Sequence, residues 1–287
     1  MSDLLAHYKN DPWATHWGIK AESLTDDMAT LKLPFREIQL NHPAGVVHGG
    51  VLATVMQDAG LLLVCQAYAL APKQAELLDM QISYISGTRD QEITITARFS
   101  RKARRFAFIH AEITDENGRL IANSQILFRT QAEKAPMQAE KRIYATPNPL
   151  QLSGENNHPM ANERFAPNLK ERSGLEVTHI TPCLAQVLMP LDPMYQDFRG
   201  QTANGVILHM ADTAGVFGPF AYVNRPINAA TVDFKMTFCE ATESEELLAT
   251  STCINQNGNV MFSKVEVHSQ PSGKLIAFGT QTFWLDL

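Results

Sequence analysis

The sequence predicts an α+β protein made of two similar halves, and three observations support this prediction. Residues 117–130 (NGRLIANSQILFRT) resemble residues 272–285 (SGKLIAFGTQTFWL), 155 positions later. The same spacing aligns GVVHGGVLATVMQD, from Gly45, with GQTANGVILHMADT, from Gly200. In each half, a long apolar segment is followed by several alternating segments. An internal repeat of this kind constrains the architecture before any single motif is considered.

Each half begins with a short segment and a strand, within residues 16–34 and 173–190, followed by a polar loop and a glycine-bearing turn. One long apolar helix is then expected to begin near Gly50 in the first half and near Gly205 in the second. The apolar stretch 51–70 contains Gln57, Asp58 and Gln66, and an acid is costly inside a bilayer. We therefore expect a helix buried in a globular core, and no membrane span.

After the helix, each half contains four segments in which β-branched and aromatic residues alternate with polar ones, a pattern typical of antiparallel strands. The turns DENG and NQNG separate two of them in each half. A sheet curled around the helix would bury it, and two such units can pair sheet edge to sheet edge. The segments are LLDMQISYI, EITITARFS, FAFIHAEIT and LIANSQILFRT, then ATVDFKMTF, LLATSTCIN, VMFSKVEVHS and LIAFGTQTFWL.

Between the halves lies a polar, proline-bearing stretch that is typical of a linker with some helix. The predicted boundaries are therefore an N-terminal domain at residues 1–132, a linker at residues 133–167 and a C-terminal domain at residues 168–287.

Composition excludes several classes of protein. Apolar residues make up 45% and charged residues 19% of the 287 residues, as in ordinary globular proteins. The net charge of −6 gives no reason to expect nucleic acid or an anionic membrane as a partner. The four cysteines lack metal-type spacing, and nothing indicates a metal or redox cofactor. No signal peptide is apparent, so a cytoplasmic location is expected.

The segment NHPAGVVHGGVLATVMQD, residues 41–58, resembles the hotdog-fold acyl-CoA thioesterases of the phenylacetate-thioesterase and 4-hydroxybenzoyl-CoA thioesterase type. Their pattern is an Asn, then Gly-x-x-His-Gly-Gly, then an acid seven residues beyond the second Gly. The resemblance covers both halves without the linker. It implies two tandem hotdog domains, each with a long central helix wrapped by an antiparallel sheet, paired as an intrachain pseudo-dimer.

The two halves match this pattern in complementary ways. The first half departs from it at the acid, where Gln57 stands and Asp58 follows one residue later, about 100° further around a helix. The second half has the acid, Asp212, and Thr231 at a position where the family often has a hydroxyl and the first half has Leu77. The first half matches at Asn41, Gly45, His48, Gly49 and Gly50, where the second has Gln196, Gly200, Ala203, Asn204 and Gly205.

In dimers of the family, as the resemblance implies, each site takes its Asn and His-Gly loop from one subunit and its acid and hydroxyl from the other. This chain keeps the loop set in its first half and the acid set in its second half. We therefore expect one composite site, with the other site lost.

The resemblance and the chemistry of thioesters together suggest roles for the site residues. The Gly49 N–H, at a helix start, would polarise the carbonyl, and Gly50 would let the substrate approach the backbone. Asp212 would activate water or attack directly, and the sequence does not separate these routes. Asn41 would position the water or the acyl group, His48 would orient the loop or contact the thioester, and Thr231 would bond the water or Asp212. Structural roles are the alternative: a turn for the glycines, local hydrogen bonds for His48, and strand formation for Thr231.

A basic run, SRKARRFAF, is expected at a turn between two strands. It is either a solvated turn or a site for the phosphates of coenzyme A, and the matching turn of the second half, INQNGN, is neutral. The cations are Arg101, Lys102, Arg104 and Arg105.

The first functional hypothesis is hydrolysis of an acyl-CoA or another acyl thioester. A hotdog dehydratase or hydratase and a non-catalytic acyl-CoA-binding or scaffold protein are the alternatives. Asp58 is expected to stabilise a local polar network or to belong to a second site. A homodimer of double-hotdog chains is expected only by analogy.

Overall fold

The two halves have the same arrangement of strands around one long helix. The computed structural model describes residues 2–41, 45–130, 166–223, 228–242 and 244–286. The helices in these ranges are α1 (Ser2–Tyr8), α2 (Pro12–Trp17), α3 (Gly49–Ala67), α4 (Ala166–Ser173) and α5 (Asn204–Val223).

The strands follow the predicted alternating segments closely. In the first half they are β1 (Lys20–Leu24), β2 (Met28–Leu33), β3 (Leu40–Asn41), β4 (Val46–Val47), β5 (Glu76–Tyr84), β6 (Ile93–Lys102), β7 (Phe106–Asp115) and β8 (Leu120–Arg129). In the second half they are β9 (Glu176–Thr181), β10 (Leu184–Met189), β11 (Ala229–Phe238), β12 (Leu247–Asn257), β13 (Val260–Ser269) and β14 (Leu275–Leu285).

One antiparallel sheet of twelve strands joins the halves. Its order is β1-β2-β6-β7-β8-β5-β11-β14-β13-β12-β10-β9, so each half contributes six strands and the second half repeats the first in mirror order. The halves meet where β5 pairs with β11, with Met80 opposite Met236. The predicted edge-to-edge pairing is therefore confirmed, and the edge of each half is covered by the other.

Equivalent irregularities show how closely the halves correspond. β5 has a bulge between Leu77 and Asp79, and β11 has one between Thr231 and Asp233. The register places Leu77 opposite Phe128 and Thr231 opposite Phe283. Thr231 and Leu77 thus occupy equivalent positions, as the sequence alignment of the halves predicts. Gly45 and Gly200 also match, since both have φ in the left-handed region (64° and 71°) at the turn that leads to the long helix.

The long helices α3 and α5 form the core of the two halves. Both are apolar enough to span a membrane by length and composition, but 83% and 89% of their most apolar windows are buried within the fold. This burial agrees with the prediction of core helices.

The two helices cross closely at two glycines. A Cβ added to Gly50 would lie 2.6 Å from the Cα of His209, and one added to Gly205 would lie 2.6 Å from Cγ2 of Thr54. His209 and Thr54 are equivalent positions of the two helices, so the contact is symmetric. Gly50 and Gly205 therefore permit the close approach of α3 and α5 near their N-terminal ends.

Several elements differ from the sequence prediction. Each initial segment forms two strands, because Thr25 and Cys183 start tight turns: the Thr25 hydroxyl accepts a hydrogen bond from Met28 N, and Cys183 has φ of 65°. The helices α1 and α2 were not predicted, since their length of seven and six residues leaves little periodicity. Residues 133–165 of the predicted linker lie outside the described residues, and α4 begins at Ala166, within the last two positions of the linker.

The substitution Gly205→Ala tests the close crossing of α3 and α5. Because the new methyl group would overlap Thr54, we expect a loss of about 1–3 kcal/mol in the free energy of unfolding. Urea denaturation of the single and double variants measures this loss. In the Thr54→Ala background the same substitution should cost less, and an equal cost in both backgrounds would contradict the crossing.

Candidate active site

The site is built around Asp212, which projects from the middle of α5 and is only 2% exposed. Its Oδ1 accepts hydrogen bonds from the Thr231 hydroxyl (3.0 Å) and from Gln281 Nε2 (2.7 Å). Gln281 Nε2 also donates to Thr231 Oγ1, at 2.7 Å. The three side chains therefore form a closed triangle that fixes the orientation of the carboxylate.

Gln281 is the residue of this triangle that was not predicted. It lies on β14 at an inward position, 1% exposed, next to Gly215 of α5. A Cβ on Gly215 would lie 1.5 Å from Gln281 Oε1, so this glycine provides the space for the amide. The equivalent residues in the first half are Gly60 and Ile126. A polar residue at an inward strand position, where the other half has an apolar one, was the available signal.

The glycine loop of the first half approaches the other carboxylate oxygen. A Cβ added to Gly49 would lie 2.8 Å from Asp212 Oδ2 and 3.2 Å from the Tyr84 hydroxyl. The Tyr84 hydroxyl donates to the Gly49 carbonyl (3.0 Å) and so fixes this turn. The structure thus brings together Gly49 of the first half with Asp212 and Thr231 of the second, as the sequence predicts for a composite site.

His48 caps the N-terminus of α3. Its Nδ1 accepts a hydrogen bond from Gly50 N (2.9 Å) and lies 3.4 Å from Asp212 Oδ2. An Nδ1 that accepts must carry no proton, which places the proton of the neutral ring on Nε2, 3.4 Å from the Thr213 hydroxyl. Burial lowers the pKa of His48, so the ring is neutral and its contact with Asp212 is not an ion pair.

Burial raises the pKa of Asp212 above its ordinary value of 3.8. Thr231, Gly50 and Gln281 oppose this effect, because their hydrogen bonds favour the charged form. A carboxylate with a raised pKa is, in its ionised form, a stronger base than an exposed carboxylate.

A cleft with a volume of about 810 Å³ opens onto Asp212 and is called the first cleft. Its walls come from both halves: the first half contributes residues between Asn41 and Thr88, and the second half contributes Asp212 and residues up to Asp286. Gly49, Tyr84 and Thr231 also line it. A cleft of this size accommodates a small-molecule ligand.

A smaller cavity of about 50 Å³ is lined by His48, which is not among the residues that line the first cleft. Asn41 lines both spaces, so this predicted residue is at the site. Gly50 is different, because it packs against His209 of α5 and does not line the first cleft.

The structure does not bring the basic run to Asp212. The run forms the β6–β7 turn, where the Tyr68 hydroxyl donates to the Ala103 carbonyl (2.9 Å) just beyond the C-terminal end of α3. Gly49 lies at the opposite end of this helix, about 27 Å away at 1.5 Å per residue. A contact with ligand phosphates in the first cleft, predicted for Arg101, Lys102, Arg104 and Arg105, is not supported by this placement.

Asp58 belongs to a buried polar network away from the first cleft. Its Oδ2 accepts a hydrogen bond from the Tyr8 hydroxyl (2.7 Å). Burial, followed by the charge of Asp11, raises the pKa of Asp58, and burial raises the pKa of Asp11 to about 6. Asp11 also caps α2 through Ala14 N and accepts from Phe198 N, so the network ties the N-terminal helices to the second half.

Within the described ranges, no group of three or more His, Cys, Asp or Glu side chains is arranged to hold a metal ion.

Comparisons with known proteins identify the family and the fold. The thioesterase superfamily matches residues 44–122 and 200–276, slightly more than half of the chain and one region in each half. A curated putative esterase from Sulfurisphaera tokodaii is 25% identical over 114 residues, which cover 40% of this chain and 83% of that protein.

Solved structures resemble the whole double unit. A putative thioesterase from Novosphingobium aromaticivorans has a TM-score of 0.66 at 14% identity, over 93% of this chain and 98% of that one. An acyl-CoA thioesterase II from Mycobacterium marinum has a TM-score of 0.59 at 15% identity, over 93% and 94%. A protein with a hotdog fold from Alicyclobacillus acidocaldarius has a TM-score of 0.62 at 16% identity, over 90% and 93%. At these identities the likeness shows the fold, two tandem hotdog domains.

The buried acids predict a pH dependence of stability. The pKa values of Asp11 and Asp58 are raised in the folded state, which therefore keeps protons that the unfolded state releases. For Asp11 this difference lies between pH 3.8 and about pH 6. Stability should therefore fall as pH rises through this window, by up to about 1.4 kcal/mol per pH unit for each proton.

Asp58→Asn should flatten this fall, because Asn still accepts from Tyr8 but carries no charge. Urea denaturation at several pH values measures it, with exposed Asp90→Asn as the control. Parallel curves for Asp58→Asn and the wild-type protein would contradict the assignment.

Proposed function

This chain belongs to the thioesterase superfamily, and we propose that it hydrolyses an acyl-CoA, or a related acyl thioester, to a free acid and a thiol at one site shared by its halves. The observation that carries the proposal is the position of Asp212. This buried acid of the second half lies against Gly49 of the first half and faces a cleft lined by both. An acid is costly in such a place unless it is used.

The N-terminus of α3 is the proposed binding site for the thioester oxygen. Gly49 is the first residue of α3, where the helix itself provides no acceptor for the backbone N–H. The next N–H, of Gly50, already donates to His48 Nδ1. The Gly49 N–H and the positive end of the helix dipole would therefore stabilise the negative charge that develops on the carbonyl oxygen.

Asp212 is proposed to act through Oδ2, because Oδ1 is engaged by Thr231 and Gln281. As a general base, the carboxylate takes a proton from water while the water oxygen bonds to the carbonyl carbon. The carbon–sulfur bond then breaks, and the proton passes to the departing thiolate. Direct attack by Asp212 would give an anhydride that water opens, and the geometry is compatible with both routes.

His48 is proposed to position the loop, since a neutral ring with Nδ1 bonded to Gly50 is an N-cap and not a proton donor at that atom. Its neutral state also leaves the charge of Asp212 without a full counterion, which keeps the carboxylate basic.

Asp212→Asn should reduce kcat by about 10²–10⁴, because the amide cannot accept the proton of water. Thiol release from a panel of short, medium, long and aromatic acyl-CoAs measures this effect. Asp58→Asn is the matched control, since it removes a half-buried acid of the other helix and should leave turnover unchanged. Loss of turnover only in Asp58→Asn would contradict the proposal. Bound acyl-CoA without turnover in the wild-type protein would favour a binding protein.

Gln281→Ile replaces the amide by the residue found at the equivalent position of the first half. We expect kcat to fall by about 10–10², because Asp212 loses a side chain that positions it. The decline of kcat/KM on the acid side of its pH profile should also begin at a higher pH. This acid-side decline should move to higher pH because the variant removes the Gln281 N–H donor, which favours the ionised form of Asp212. Burial already raises the pKa of Asp212 above 3.8. An unmoved acid-side decline with normal kcat would show that Gln281 only fills space; Ile126→Val is the packing control.

A further inference from the structure

We propose that the chain has a second, non-hydrolytic cleft that binds a phosphate-bearing ligand of the coenzyme A class. The assignment of this ligand to the coenzyme A class rests on the proposed function. The second cleft has a volume of about 340 Å³ and lies at the equivalent position on the other side of the β5–β11 junction. Segments of both halves line it, at residues 73–78 and 129 and at residues 199–204 and 238–242.

The second cleft keeps the position of the first but has lost its hydrolytic groups. Asn204, the first residue of α5, lines it where Gly49 lines the first cleft, and Leu77 lines it where Thr231 does. The positions of Asp212 and Gln281 are occupied by Gln57 and Ile126. A ligand bound here would meet no carboxylate at the position that activates water.

The lining of the second cleft also contains more positive charge than the lining of the first cleft. In the described lining of the first cleft, the charged side chains are Asp212 and Asp286, with no Lys or Arg. The second cleft has two carboxylates, Glu76 and Glu240, and three cations: Lys73, Arg129 and Arg199.

Each carboxylate that faces the second cleft already has a cationic partner. Arg129 Nε lies 3.2 Å from Glu76 Oε2, and Lys274 Nζ lies 3.4 Å from Glu240 Oε2. Arg199, whose side chain is 5% exposed, pairs with Asp197 at 2.6 Å. Exposed Lys73 adds a further positive charge at the rim, so the cleft is suited to an anion.

Gln57 stands where the second half has Asp212, but it is not among the residues that line the second cleft. Its side chain is 1% exposed, and its Nε2 has no partner among the described residues. A neutral, buried amide therefore occupies the position of the acid in this half.

The basic run lies on the side of the second cleft. Thr130, next to Arg129, donates from its backbone N–H to the Arg105 carbonyl (2.9 Å) and from its hydroxyl to the Arg104 carbonyl (3.2 Å). The equivalent turn of the second half is neutral and lies near the first cleft. The Asn259 carbonyl of this turn accepts from the Leu285 N–H, and Leu285 follows Trp284, which lines the first cleft. Arg104 and Arg105 thus lie next to the strand end that carries Arg129 of the second cleft, and guanidinium groups bind phosphates well.

Cys239 provides a direct test, because it lines the second cleft and is the exposed one of the four cysteines. Its alkylation by a maleimide is followed by mass spectrometry with and without desulfo-coenzyme A, which has no competing thiol. Protection of about tenfold is expected at about ten times the dissociation constant. Protection should weaken at high salt, as expected for ionic contacts.

Lys73→Glu should reduce the protection of Cys239 at least severalfold and leave hydrolysis in the first cleft unchanged. Lys20→Glu, an exposed charge reversal elsewhere, is the matched control. Unprotected Cys239 at millimolar ligand, or protection that Lys73→Glu does not alter, would overturn the proposal. Thiol release measured on the same samples separates the two claims: hydrolysis without protection refutes the second cleft alone, and protection without hydrolysis refutes the proposed function alone.

Discussion

The close crossing of α3 and α5 is the constraint on which the rest of the structure depends. Gly50 and Gly205 let the two helices approach near their N-terminal ends, and the β5–β11 pair holds the halves in one sheet. This crossing places the start of α3 against the middle of α5, so that Gly49 meets Asp212. The backbone donor and the acid of the proposed site therefore lie on different helices, one in each half.

Burial of one carboxylate follows from this crossing and requires compensation. Thr231 and Gln281 donate hydrogen bonds to Asp212, the backbone of Gly50 also favours its charged form, and Gly215 leaves room for the Gln281 side chain. The first half has no such arrangement, since Gln57 replaces the acid and Ile126 fills the amide's position. The two equivalent clefts therefore differ in charge: the lining of the first contains Asp212, and the lining of the second contains Lys73, Arg129 and Arg199.

The sequence predicted the parts of the structure that repeat. The offset of the halves and the alternation of the strands gave the paired sheets, and the divided motif gave the meeting of Gly49 with Asp212. Gln281 was missed because a single polar residue in an alternating strand has no pattern of its own. The sequence left the basic run as either a solvated turn or a phosphate site, and only the fold shows that its turn lies at the end of α3 opposite Gly49. Short α1 and α2 depend on tertiary contacts such as Tyr8 with Asp58.

The central claim is that one thioester is held by both halves at once. A crystal structure with a non-hydrolysable ketone analogue of an acyl-CoA tests it most directly. We expect the ketone oxygen within hydrogen-bond distance of the Gly49 N–H, at about 2.7–3.1 Å, with Asp212 Oδ2 facing the carbonyl carbon. A reactive carbonyl that contacts only one half, or that lies beside Gln57 and Asn204, would contradict the account.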